Sequence, residues 1–417
     1  MKKILKQKKI CILADSFLPV KNSAAGMIYN LARFLKNENF EVICIYGGIN
    51  PKNFPNRFLS YDISDLQLIN SDFFQRKRSQ NIYIRFFAEI FLSISLSLKI
   101  ISNKKVIKDI DIILWYGPSS FLWLPIFFLK KLTQSKVIYI VRDLFPEWLL
   151  SVGLIKKNLI YYFLKFLTFP QYIIPHFIGV ESKGNLKLLR NKISKGIKLD
   201  IIYNWPSLVD VTYNKKSLSR KKKLYLKEIL NNGIQIKKKK LVSSIYIGNT
   251  GHAQNFEENM NYLSKLDNIK NIFIDIFSPQ KLDFKFQTGI KFRSWKGVDD
   301  NLIPSFITKK DFGIVSLHNN LHSHNLPGKF VTYVQFRLPV LSISNKNTEI
   351  SKIISKYNCG EFIDINDNFE LNSKKLKDFI VNVTNNRDIY SRNSYALFKD
   401  FFHLKNLKFK LNKFLEK

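Results

Sequence analysis

The 417-residue chain has only three cysteines, Cys11, Cys44 and Cys359, and no C-x-x-C pair. An odd number at wide spacing excludes a disulfide framework and a cysteine-rich zinc site. It reads instead as reduced core thiols in a cytosolic protein. Glycine and proline are sparse, at 16 and 13 residues, and no low-complexity tract occurs beyond the lysine runs. No G-x-G-x-x-G follows a strand, so a dinucleotide fingerprint is missing. No uninterrupted apolar run reaches the ~20 residues of a membrane-spanning helix. The nearest, "IILWYGPSSFLWLPIFFL" at 112–129, is broken by Gly-Pro-Ser-Ser and reads as a buried strand, a turn and an apolar helix. The N-terminal "MKKILKQKKICILADSF" has too short an apolar run and no small-residue cleavage site for a signal peptide; it reads as a basic tail and a first strand. Acidic residues are the last scarcity: 32 Asp and Glu against 67 Lys and Arg leave a net charge of +35.

That charge has three readings. One is nucleic acid, but the basic residues are scattered and no recognition motif occurs, so none is expected as a partner. Another is an anionic membrane surface, where each nearby basic residue contributes about 1 kcal/mol. The third is a compositional bias, since Lys, Ile, Asn, Phe and Tyr are abundant together. Residues 82–101, "IYIRFFAEIFLSISLSLKII", contain Arg85, Glu89 and Lys99. They read as an apolar-faced helix, either core or lying on a membrane.

With 46% apolar residues the chain can build well-packed cores, and its length fits two domains of ~200 residues. Short β-rich runs at 9–14, 41–46, 111–116, 136–141, 176–181 and 199–203 alternate with helical patterns. This rhythm predicts a parallel sheet covered on both faces. The basic stretch 215–240 fits a linker. Strands then resume at 242–247, 270–276, 311–316, 339–343 and 361–364, and the last ~30 residues read as helical. The expected fold class is α/β: two doubly wound, Rossmann-like parallel-sheet domains facing across a cleft. Ligands in such sheets lie at the carboxyl ends of the strands.

Four loops at strand ends are therefore candidates. After the first strand, Ser23, Ala24, Ala25 and Gly26 open a helix; they read as an ordinary capped start or as small residues that let a ligand reach backbone amides. After 136–141, Arg142, Asp143 and Glu147 read as a loop-fixing ion pair or as substrate contacts. After 242–247, Gly248, Asn249, Thr250 and Gly251 form a strand–turn–helix junction, either a plain tight turn or an anion cradle. After 311–316 comes "SLHNNLHSHNLPGKF", whose helix start carries Lys329 and no acid. A first-turn cation opposes the helix dipole by roughly 0.3–1 kcal/mol. It reads as a solvated surface lysine, or as a point charge for a phosphate, with Pro327 pre-setting the turn and Gly328 allowing close approach. His318, His322 and His324 have spacing that could bind a metal, but no cysteine or nearby acid completes a shell; a polar cleft lining is the reading. Asp109-Ile-Asp111 precedes its strand and reads as a strand entry.

In order along the chain, "DSFLPVKNSAAGMIYNLA", "VRDLFPE", "GVESKGN", "YNW", "YIGNTGHAQ" and "PGKFVTY…LPV" resemble bacterial family 4 glycosyltransferases with the GT-B fold. Within that family the likeness is to L-fucosamine or UDP-acetamido-sugar transferases of surface-polysaccharide (lipopolysaccharide O-antigen or capsule) synthesis. The resemblance implies retaining transfer from a nucleotide-diphosphate sugar to a lipid-linked glycan, without metal or other cofactor. It implies a peripheral place on the inner face of the cytoplasmic membrane. Residues 1–205 become an acceptor-binding domain, 206–240 a basic linker, 241–390 a nucleotide-sugar domain, and 391–417 a C-terminal helix packing back toward the first domain. Gly248, Asn249, Thr250, Gly251, Gln254, His318, His324, Pro327, Gly328 and Thr332 would hold the donor. Lys329 would stabilise the leaving diphosphate. Asp143 would contact the acceptor or transferred sugar. Ser23–Gly26, Arg142 and Glu147 would serve the acceptor and diphosphate side. Three departures stand out. The family's Glu-x7-Glu reads His324 and Thr332 here. The Arg and Lys that often follow the G-N-x-G turn are replaced by His252, Ala253 and Gln254. The Gly-rich strand end expected near 277 reads "FSPQ". A non-catalytic homologue partnering another transferase is the alternative.

Overall fold

The structure, a computed structural model, describes residues 7–20, 22–53, 63–72, 82–117, 119–151, 153, 155–208, 242–266, 272–279, 282, 291–296, 302–319 and 326–415. The chain divides into two compact units, Met1–Val209 with Leu407–Lys417, and Asp210–Asn406. Most of the basic stretch read as a linker lies outside the described residues.

The first unit is built on seven parallel strands: β1 (Lys9–Ala14), β2 (Glu41–Gly47), β3 (Gln67–Ser71), β4 (Ile112–Tyr116), β5 (Lys136–Val141), β6 (Phe177–Val180) and β7 (Lys198–Ile201). Their order is β3-β2-β1-β4-β5-β6-β7. "KICILA" and "KVIYIV" are apolar almost throughout because both faces of a parallel sheet are covered. Helices α1 (Ser23–Asn37), α2 (Ile82–Ser102), α3 (Lys104–Ile107), α4 (Trp123–Thr133), α5 (Glu147–Ser151), α6 (Leu159–Thr168) and α7 (Lys183–Leu189) connect them. On one sheet face Cys11, Ile43, Trp115 and Tyr139 pack with Leu92, Leu96 and Ile100 of α2 and Ile126 and Leu129 of α4. Trp115 stacks on Tyr139 with ring centroids 3.9 Å apart. Asp111 accepts from the Lys9 N–H at 2.7 Å, which makes it a strand-entry clamp.

The second unit has six parallel strands: β8 (Val242–Ile247), β9 (Ile272–Ser278), β10 (Lys291–Lys296), β11 (Phe312–Ser316), β12 (Val340–Ile343) and β13 (Gly360–Ile363). Their order is β10-β9-β8-β11-β12-β13. Its helices are α8 (Phe256–Lys265), α9 (Ile303–Ile307), α10 (Gly328–Gln335), α11 (Glu349–Tyr357), α12 (Phe369–Asn385) and α13 (Arg387–Leu397). Phe256, Met260 and Leu263 of α8 and Leu376, Phe379 and Val383 of α12 close one core over Ile274, Ile276, Phe312 and Ile314. A last helix, α14 (Leu404–Leu415), belongs mostly to the first unit. There Lys410 pairs with Asp200 at 2.6 Å, Lys408 pairs with Glu38, and the rings of Phe414 and Phe177 lie 3.7 Å apart.

Candidate functional site

In the first unit, polar residues collect at the carboxyl ends of four neighbouring strands. Asp15 follows β1, Tyr116 ends β4, Arg142 and Asp143 follow β5, and Glu181 follows β6. Arg142 pairs with Glu181 at 2.9 Å, and its guanidinium lies 5.6 Å from the Tyr116 ring centroid. Burial pushes the Tyr116 hydroxyl up to about 12, and the charges of Arg142, Glu181, Asp15 and Asp143 all bear on it. The loop-fixing pair considered for Arg142 therefore exists, and its partner is Glu181. Glu147 begins α5 and accepts from Lys192 Nζ at 2.7 Å. At the start of α1, the Asn22 side chain caps the helix by accepting from Ala25 N–H at 2.7 Å. Gly26 is needed by the chain itself: a β-carbon there would stand 2.2 Å from the Ser207 carbonyl oxygen. The same segment is held by Trp205 Nε1 donating to Met27 O at 2.7 Å and Asn30 Nδ2 donating to Pro206 O at 2.8 Å.

In the second unit the two candidate turns meet. Lys329 lies in the first turn of α10, and its Nζ stands 3.8 Å from the centroid of the Tyr246 ring. It is 3.6 Å from where a Gly248 β-carbon would be. Gly248 has φ +120°, a backbone that side chains rarely adopt, so both its conformation and its bare surface serve the lysine. The ammonium nitrogen is buried and has no hydrogen-bond partner among the described residues. Burial alone pulls its pKa down to about 7.

Backbone donors stand on the same two turns as this amine. Among the described residues nothing accepts from the N–H groups of Asn249, Thr250, Gly251, His252 and Ala253, nor from those of Gly328 and Lys329. The expected direct turn-to-helix junction differs in detail. A 3₁₀ turn, His252–Gln254, comes first, and α8 starts only after Asn255 at φ 41°. This lengthened turn keeps more amides outside a helix ladder. Tyr333 of α10 braces it: its hydroxyl donates to Ile245 O at 3.2 Å and accepts from Ile247 N–H at 3.1 Å. The next loop joins the cluster through His318 N–H, which donates to Ala253 O at 3.0 Å, and through the His252 and His318 rings, 5.0 Å apart. Gln254 contributes its carbonyl, which accepts from Ser316 Oγ at 2.6 Å. Thr332 is buried, and its hydroxyl donates to Gly328 O at 3.1 Å. His322 and His324 lie outside the described residues.

No family model matches the chain. A curated relative, WbjE of Pseudomonas aeruginosa, a probable glycosyltransferase, is 23% identical over 295 residues, covering 69% of this chain and 70% of its own. Among solved structures, HepE of Anabaena in complex with UDP-glucose superposes with a TM-score of 0.61 at 11% identity, over 98% of this chain and 99% of its own. WaaG, a glycosyltransferase involved in lipopolysaccharide biosynthesis, gives 0.56 at 10% identity, over 94% of each chain. The fold is GT-B.

Within this GT-B chain, four polar residues of the strand-end loops escaped the sequence reading. Tyr116 and Glu181 stand against Arg142, the charge of Asp15 bears on Tyr116, and Asn319 follows His318. Asn319 is 6% exposed, and neither atom of its side-chain amide is bonded among the described residues. Each lies at or just beyond the carboxyl end of a strand, and that position was the available signal.

Proposed function

We propose that the chain is a retaining, metal-independent glycosyltransferase that moves a sugar, a UDP-linked acetamido sugar, from a nucleotide diphosphate to a lipid-linked glycan in O-antigen or capsule synthesis. The observation that carries this reading is the ammonium of Lys329, buried over the Gly248 turn and without a hydrogen-bond partner among the described residues. A buried cation is costly unless an anion joins it. Here seven N–H groups without acceptors among the described residues stand on the same two turns. A diphosphate satisfies both demands. Donors preorganised for leaving-group charge stabilise the transition state more than the ground state. The lysine also supplies the charge that the missing basic residues after the G-N-x-G turn would have brought. Asn319 offers a donor and an acceptor for the nucleoside or sugar. Asp143, beside the Arg142–Glu181 pair, contacts the acceptor or the transferred sugar, and the leaving phosphate takes the acceptor's proton. The reaction takes place at the inner face of the cytoplasmic membrane, where the lipid-linked acceptor lies.

The test is a donor screen by mass spectrometry with a polyprenyl-linked acceptor, run on wild type and Lys329→Ala. Turnover with one nucleotide sugar and a fall of ~10²-fold or more in the variant is expected. An unchanged rate would overturn the lysine's role. A second reading, a non-catalytic GT-B partner of another transferase, draws on Thr332, which stands where the family has Glu and turns its hydroxyl to the helix backbone. Turnover by the purified chain alone would remove it.

A further inference from the structure

Two helices of the first unit turn an apolar face outward. On α2 the exposed residues include Ile84, Phe87, Phe91, Ile94 and Leu98. Their spacing of three and four places them on one side of the helix. The opposite side, with Leu92, Leu96 and Ile100, is in the core. On α6 the outward residues are Leu159, Ile160, Phe163 and Phe166, while Tyr161 and Leu164 are buried. Leu159 is 84% exposed and Phe166 75%, far beyond the scattered apolar exposure of ordinary surfaces. Both helices contact the short turn Ser120–Leu122, which places them near each other in the first unit.

The charge around these faces is mostly positive, with Glu89 on α2 and the exposed Asp109 as exceptions. No acidic residue occurs from 148 to 180. Lys156, Lys157 and Lys165 are exposed there. Lys99 in the last turn of α2 and Lys104, Lys105 and Lys108 beyond it are exposed as well. The only acid of α2, Glu89, accepts from the Ser119 hydroxyl at 3.1 Å. No helix among the described residues is long and apolar enough to cross a membrane. An apolar stripe rimmed by lysines is the pattern of a helix lying in a lipid interface. A second copy of the chain would bring like charge against like charge, whereas an anionic surface complements it.

We propose that the outer faces of α2 and α6 form one docking surface for an anionic lipid bilayer, on which the protein rests without spanning it. The inference deepens the membrane location proposed above and does not depend on the donor site. It is tested by flotation of the full chain with vesicles of phosphatidylcholine alone or mixed with phosphatidylglycerol. Wild type floats with the mixed vesicles, loses them as salt rises, and ignores phosphatidylcholine. The pairs Phe163→Glu with Phe166→Glu, and Phe91→Glu with Leu98→Glu, reduce the bound fraction about tenfold or more. All four residues are exposed, so circular dichroism and nucleotide binding by calorimetry remain those of wild type. In a separate variant, Phe166→Trp, fluorescence shifts to the blue only with the mixed vesicles. Wild type left unbound by both vesicle types, or charged pairs that bind as wild type does, would overturn the proposal. So would a dimer of the chain in solution that the same substitutions dissolve. Loss of vesicle binding with nucleotide binding intact, and the reverse, separate this inference from the transferase reading.

Discussion

A lysine whose buried ammonium lies over an aromatic ring, with no hydrogen-bond partner among the described residues, is a costly charge. Lys329 has its folded pKa drawn down to about 7 by burial. The unfolded chain keeps the ordinary lysine value, so between about pH 7 and that value it binds the extra proton. Stability therefore rises with pH through this window, and below it the full penalty remains. Lys329→Met keeps the stem and removes the charge. Its urea midpoint should exceed that of wild type most at or below neutral pH, by on the order of a few kcal/mol, and the gap should close toward about pH 10. A bound diphosphate reverses the bias by giving the ammonium a partner. Nucleotide-diphosphate binding above pH 7 should then take up a proton. Calorimetry in two buffers of different ionisation enthalpy reads this directly, and Lys329→Met should lose the buffer dependence together with most of the affinity. A buffer-independent enthalpy in wild type would mean that the amine is already charged when empty.

Two glycines show how much of the site is set by elements rather than by its own side chains. Gly313 lies in β11 under Tyr333, and a β-carbon there would stand 2.5 Å from the ring. Gly313→Ala must push that ring, and with it the hydroxyl that braces Ile245 and Ile247 ahead of the Gly248 turn. We expect a loss of ~1–3 kcal/mol and weaker nucleotide binding, seen in one calorimetric series. Gly26→Ala meets the Ser207 carbonyl instead, in the first unit. It should cost at least as much stability and leave nucleotide affinity unchanged. These contrasts also mark what was legible beforehand. Strands such as β1, β5 and β11 announced themselves as short apolar runs because both faces are buried. β3 "QLINS" and β10 "KFRSWK" did not, for each is an outermost strand with polar, partly exposed positions. Lys329 could be singled out because a first-turn cation contradicts the helix dipole within its own local sequence. Glu181 and Asn319 carried only their strand-end position as a signal, since their partners, Arg142 and a turn, are brought near only by the folded sheet. The segment opening with Ser23 fits either a capped helix start or room for a ligand; Asn22 supplies the cap, and a β-carbon at Gly26 would meet the Ser207 backbone.

At the scale of the molecule, the C-terminus completes a core that begins at the N-terminus. Helix α14 buries Leu407 and Leu411 in the first unit and sets Phe414 against Phe177. Its ion pairs, Lys410–Asp200 and Lys408–Glu38, are partly exposed. Pairs of that kind contribute about 0–1 kcal/mol, whereas truncating a buried leucine to alanine costs about 2–5. The attachment is therefore apolar in energy, though it looks electrostatic on a chain of net charge +35. Four of the five tryptophans, Trp115, Trp123, Trp148 and Trp205, lie in the first unit and one, Trp295, in the second. Urea unfolding followed by tryptophan fluorescence thus reports chiefly on the unit that α14 joins. Leu411→Ala should lower that midpoint by an amount equivalent to about 2–5 kcal/mol, while Lys410→Ala should lower it by less than about 1 and should be insensitive to added salt. The opposite ranking would make the last helix an electrostatic clasp. The first unit would then loosen in high salt, which the apolar account forbids.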